Sequence, residues 1–307
     1  IGGSGLEKLA AGEFLHRKAL EARRLIEGEI KKTPQEVECV EKANIYINNE
    51  LKALELPALL EVFPEEVHIL PHELFDKNVS KKTVAIYSAY KGILVDQEKV
   101  DESEFFRIVL HESLHKASHH KHHLSFNEEL QMGVIRQSRL GYQNFKTGSG
   151  GDEYEHFRGF NEAVVDKIAL ELIEKNKADI IRDLNLNMTQ IVGFSSGYEN
   201  EIKLLDFMVD KIAEKKGESK EDVWGRFKRG IFTGEMMHLR DIEKVFGRGA
   251  LRMVAAIHSA SKPNLSDAEA VDLVYQYLTA KSDEERKVIA EFVLKPEDEC
   301  KSKKGFK

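Results

Sequence analysis

Six of the chain's twelve histidines fall between His111 and His123, directly behind the apolar run Phe105-Phe106-Arg107-Ile108-Val109-Leu110. Asp101 precedes that run with Glu104 three residues on, the spacing of a capping box, so a helix is predicted over about 103–118. Its apolar residues would bury the helix and dry one side of whatever the histidines form. The chain must therefore build a core around this helix. With 307 residues, 41% of them hydrophobic, it has the material for one large or two modest domains.

Around this helix the sequence alternates between two periodicities. Leu15, Ala19, Ala22, Leu25, Ile26 and Ile30, then Val37, Val40, Ala43, Ile47 and Leu51, recur at helical spacing. They predict two helices between about Leu6 and Leu54, meeting near Lys32-Thr33, with Pro34 at a first helical position. Val67-His68-Ile69-Leu70 reads as a short strand stopped by Pro71. Thr83–Tyr90, a tight Lys91-Gly92 turn and Ile93–Asp96 read as a hairpin. A second β-pair is expected within Met132–Phe145, ahead of Thr147-Gly148-Ser149-Gly150-Gly151, and an amphipathic helix from Phe160 to Lys175. Beyond Gly193 the signals are helical, with Ser-x-x-acid starts at Ser196/Glu199, Ser219/Asp222, Ser266/Glu269 and Ser282/Glu285. Residues from Pro296 read as a disordered Lys/Glu-rich tail.

Composition excludes several classes. No run approaches the roughly 18–20 apolar residues of a membrane span. The balance of 46 Lys+Arg against 53 Asp+Glu gives no support for nucleic-acid binding. Cys39 and Cys300 are too few for a disulfide scaffold or a thiolate cage, which leaves His and Glu as the natural metal ligands. The chain opens on Ile1 and a linker-like Gly2-Gly3-Ser4-Gly5, so targeting is left open, with the low cysteine content leaning toward the cytoplasm. Oligomeric state is unread.

The chemistry concentrates in His111-Glu112-Ser113-Leu114-His115. Residues four apart on a helix share a face, so both imidazoles can reach one metal ion. Glu112, one residue past the first, can touch a metal-bound water without being a ligand. A catalytic zinc needs a third ligand and an open position. The pattern HExxHxxGxxH fails here, because its Gly and third His positions hold Ser118 and Lys121. A glutamate on a separate helix fits: in Phe160-Asn161-Glu162-Ala163-Val164-Val165-Asp166, Glu162 would bind metal. Asp166, four residues on, would accept the free N–H of a ligating imidazole, that of His111. The bland alternative makes Asn161 a helix cap and Glu162 an ordinary first-turn acid.

From about Val67 to Leu172 the order of a hairpin, an HExxH helix, an irregular segment and an Asn-Glu-x-x-x-Asp helix resembles the catalytic core of a gluzincin-type zinc metallopeptidase. Gly197-Tyr198-Glu199-Asn200-Glu201 and Phe232-Thr233-Gly234-Glu235 are loosely similar to helical C-terminal parts of small bacterial relatives. The resemblance implies one Zn2+ per chain held by His111, His115 and Glu162. It makes Glu112 the base that passes a proton to the leaving amine, and a peptide or protein the substrate, bound by strand addition along Thr83–Ala89. The His115-to-Glu162 interval is longer than in compact thermolysin-like members. A peptidase also needs an oxyanion donor, and Tyr154, His156, Tyr198, His238 and His258 are candidates. Tyr198 is chosen because it opens a helix at a glycine-flanked junction. His119-His120-Lys121-His122-His123 reads as a solvated basic loop.

The resulting expectation is an α+β chain: N-terminal helices over 1–55, a zincin-like core over 56–192 with a small mixed sheet and active-site helix, an all-α domain over 193–295, and the tail 296–307. The alternatives are a catalytically silent zincin-like regulatory or binding domain, and a zinc-storage protein using the histidine run.

Overall fold

The computed structural model describes residues 20–58, 61–79, 83–127, 132–147, 153–186, 197–258 and 266–294. The expected tail 296–307 and Ser196 lie outside them. The protein is α+β, with helices and two small sheets. Contacts group it into two units, residues 1–117 with 169–195 and residues 118–168 with 196–307.

In the first unit, α1 (Pro34–Ala53) starts as its sequence requires. The Thr33 hydroxyl accepts from Glu36 N, and the Glu36 carboxylate accepts from Thr33 N at 2.6 Å. The helix expected upstream does not continue to Ile30. Past Ala22 the chain turns, and Ile30 N donates to Ile69 O at 2.8 Å in an isolated antiparallel bridge. The apolar spacing there is used to cover a sheet: Ile26 packs on the cluster of Leu70, Phe75, Val79 and Leu94. His68, 1% exposed, ties the same segment down through Glu29 Oε2 (2.5 Å) and Ala22 O (2.9 Å).

The sheet is mixed, with order β1-β3-β2. β1 (Val67–Leu70) runs parallel to β3 (Gly92–Asp96), and β2 (Ala85–Ser88) pairs antiparallel to β3 as the expected hairpin. Gly92 is required at the turn: its φ is +73°, and a Cβ there would fall 2.1 Å from Glu66 O. Every residue of β1 and β3 is buried. A short helix, α2 (His72–Asn78), lies between β1 and β2 in the chain. Next comes α3 (Glu102–Ala117), with Asp101 Oδ1 accepting from Glu104 N at 2.8 Å. It packs against α1 and β2, and Tyr46 meets Phe106 edge-on at 6.1 Å.

The second unit contains an antiparallel sheet in chain order, β4 (His120–Asn127), β5 (Met132–Leu140), β6 (Gln143–Thr147) and β7 (Glu153–His156). The expected pair within Met132–Phe145 is β5–β6. The histidine run is not a loop: His120 to His123 open β4 and pair with β5 from His120↔Leu140 onward, across a bulge at Lys121/His122. Backbone pairing with β5 outweighs the low strand preference of lysine and histidine. Helix α4 (Arg158–Lys175) belongs to the second unit up to Ile168 and to the first from Ala169, where α5 (Lys177–Asp183) follows.

The remaining described residues are helical: α6 (Glu199–Lys216), α7 (Lys220–Thr233), α8 (Arg240–Phe246), α9 (Ala250–Ala255), α10 (Asp267–Thr279) and α11 (Asp283–Val293). Ser219, Ser266 and Ser282 cap α7, α10 and α11 as expected. At α6 the N-cap is Tyr198, which makes no side-chain cap bond. No described helix is long and apolar enough to cross a membrane.

Candidate metal centre

His111 and His115 are one turn apart on α3, 7% and 5% exposed. Their Nε2 atoms lie 3.1 Å apart, with the rings edge-on at 4.9 Å and 70°. One carboxylate oxygen of Glu162, in the first part of α4, joins them, so that the three ligand atoms all lie within 4.8 Å of one another. Glu162 is half-buried, and Asp166, one turn further along α4, is 1% exposed.

This geometry fits a metal ion. A tetrahedral ion with bonds of 2.0–2.1 Å separates its ligand atoms by about 3.3 Å, close to the Nε2–Nε2 distance. Two convergent imidazole nitrogens and a carboxylate form a donor set that could hold a metal ion. The histidine ladder stops there. His119 lies beyond the end of α3; its N donates to Ile231 O and its O accepts from Gly141 N, both at 2.8 Å. The rings of His120 and His122 lie nearly parallel on β4, 6.2 Å apart.

Glu112 is 9% exposed, and its Oε2 accepts from the backbone N–H of Tyr87 on β2 at 2.7 Å. Nothing in the residue pattern pointed to Tyr87, because the group involved is main chain. Asn161 does not cap α4, which begins at Arg158. Fully buried, it accepts on Oδ1 from Tyr142 N at 2.9 Å. Gly141, at φ +54°, makes that approach possible, since a Cβ there would lie 2.4 Å from Asn161 Oδ1. The residue ahead of Glu162 is thereby locked to the β5–β6 turn.

The candidate oxyanion donors fall in three settings. Tyr198, half-buried, lies 6.0 Å from the ring of His258, whose Nε2 is 2.7 Å from Glu201 Oε1. His258 holds a left-handed φ of +56°, a strained backbone for a histidine. His156 and Tyr154 belong to β7. His238 is committed elsewhere. The buried Tyr142 hydroxyl donates to Phe227 O at 2.8 Å, so His238 Nε2–H must donate to Tyr142 Oη at 2.6 Å, which places a proton on Nε2.

Burial, aided by the Arg226 and Arg139 guanidinium groups and opposed by Asp241, pushes the His238 pKa from 6.5 down to about 4. An unfolded chain regains the ordinary value and binds the extra proton between these limits, so stability is full above pH 6.5 and falls as pH drops toward 4. The loss expected from this group is about 3 kcal/mol. Urea unfolding at pH 7 and pH 4.5 should show it, and His238→Gln, which keeps a donor for Tyr142, should flatten the difference. Equal slopes in the two proteins would refute the assignment.

Comparison of the chain with protein-family models, with curated proteins and with solved structures finds no match.

Proposed function

We propose that the protein is a zinc-dependent metallopeptidase of gluzincin type, with His111, His115 and Glu162 holding the ion. The observation that carries this reading is the convergence of the two Nε2 atoms, 3.1 Å apart, with a glutamate from a second helix. Two imidazoles and a carboxylate are a donor set that would suit Zn2+ and would leave it open to water or substrate. When bound, the ion supplies a Lewis acid for the scissile carbonyl and an acidified water.

The chain's own residues do the rest. Glu112 adjoins the first ligand and is oriented by Tyr87 N–H, so it takes a proton from the attacking water and delivers it to the leaving amine. Asp166 accepts the His111 N–H turned away from the ion, which fixes the tautomer with Nε2 bare. Tyr198, beside His258, donates to the oxyanion. The apolar face of α3, with Phe106, Val109, Leu110 and Leu114 all buried, keeps bulk water from the helix side of the ligands.

Incubation with a diverse peptide library, read by mass spectrometry, tests the function. New termini should form, disappear with chelator and return with about one equivalent of zinc. A library left intact by zinc-loaded protein would refute it.

A further inference from the structure

β2 is an edge strand with β3 as its only sheet partner among the described residues. The phase of that pairing is fixed, because Val84 O accepts from Asp96 N at 2.9 Å. Hydrogen-bonded pairs alternate along antiparallel strands, so Val84, Ile86 and Ser88 turn their main-chain groups to β3. Ala85 and Tyr87 turn theirs to the side away from β3.

Two of those outward groups are engaged from within the chain. The Thr83 hydroxyl donates to Ala85 O at 2.7 Å, and Tyr87 N–H donates to Glu112 Oε2 at 2.7 Å. Among the described residues, Ala85 N–H is the outward donor left ahead of the blocked one.

We propose that the Tyr87 backbone N–H is a positioning group for Glu112 and is thereby withheld from the substrate. The inference rests on the peptidase reading. An extended peptide laid on an open strand edge, in either direction, gives a carbonyl to every second residue's N–H. With one carbonyl on Ala85 N–H, the carbonyl two residues away would fall to Tyr87 N–H. That donor is occupied, so this second carbonyl stays free of the strand, next to Glu112, and is the one attacked. The same hydrogen bond holds the base in place and leaves the scissile carbonyl unclaimed.

Two measurements test this. Amide hydrogen exchange at Tyr87, read by NMR on protein without added metal, needs no activity. Exchange should accelerate at least about tenfold in Glu112→Ala, whose side chain cannot accept, and stay slow in Glu112→Gln. Unchanged protection in Glu112→Ala overturns the proposal. The second replaces residue 87 by the α-hydroxy analogue of tyrosine, which swaps the N–H for an ester oxygen. The Tyr87 N–H points away from β3, so this removes no bond of the sheet.

On a peptide the wild type cleaves, kcat should fall by about 10- to 100-fold with KM within about twofold. A raised KM with unchanged kcat would mean that Tyr87 N–H binds substrate, and would overturn the proposal. The two readings fail separately. If the peptidase reading is wrong, the wild type cleaves nothing; if this inference is wrong, exchange at Tyr87 ignores Glu112.

Discussion

Glu112→Gln is expected to keep one zinc per chain while lowering turnover by about 10^2- to 10^4-fold, the usual contribution of a general base. Glutamine is the informative replacement because the surroundings of Glu112 are demanding. The side chain is 9% exposed, and one of its oxygens accepts from Tyr87 N–H. A shorter residue would leave that donor unsatisfied and open a void beside α3, mixing a folding defect into the kinetics. The amide oxygen of the glutamine can still accept from Tyr87, so the ligands on either side should keep their places. What the amide cannot do is take a proton from water. KM should therefore stay near the wild-type value while kcat falls, the pattern of an interaction made only in the transition state. Full activity in Glu112→Gln would remove Glu112 from the mechanism. A wild type that binds zinc tightly and cleaves no peptide would instead favour the silent regulatory domain.

The site was more legible in the sequence than the fold around it, for physical reasons. Two histidines and a glutamate within five residues, behind a run of buried apolar side chains, have a single helical arrangement, and α3 adopts it. The pairing with Glu162 could also be read, because Glu162 and Asp166, four residues apart, mark one face of one helix. Local chemistry likewise located α1 at Thr33-Pro34 and the hairpin turn at Gly92. Reading broke down where a distant partner decides. Leu25, Ile26 and Ile30 have helical spacing, yet Ile30 bridges to Ile69 and Ile26 covers the sheet. His120 to His123 lack strand-forming character, yet β5 offers them a pairing edge. Asn161 resembles a helix cap, but its carboxamide answers the main chain of Tyr142. The hold of Tyr87 on Glu112 left no trace in the sequence, since any residue but proline presents the same donor.

His111→Ala should abolish the high-affinity zinc binding proposed for the wild type. Of the three proposed ligands it is the one whose loss is cleanest to interpret, since its Nε2 lies 3.1 Å from that of His115 and the remaining two could not enclose an ion. Elemental analysis after dialysis should give one zinc per wild-type chain and none for the variant. Thermodynamic linkage provides an independent readout. Zinc at 100 times its dissociation constant stabilises the folded state by about 2.7 kcal/mol, so the wild type should melt higher with zinc than with chelator. The variant should melt alike in both. His120→Ala and His122→Ala separate this centre from the histidines of β4, whose rings face each other 6.2 Å apart. Both should retain the ion and its stabilising effect. A storage protein would give more than one zinc per chain and keep tight binding in His111→Ala. Asp166→Asn should fall between these extremes, weakening zinc by about 10- to 100-fold without abolishing it, because it would alter only the group proposed to orient His111.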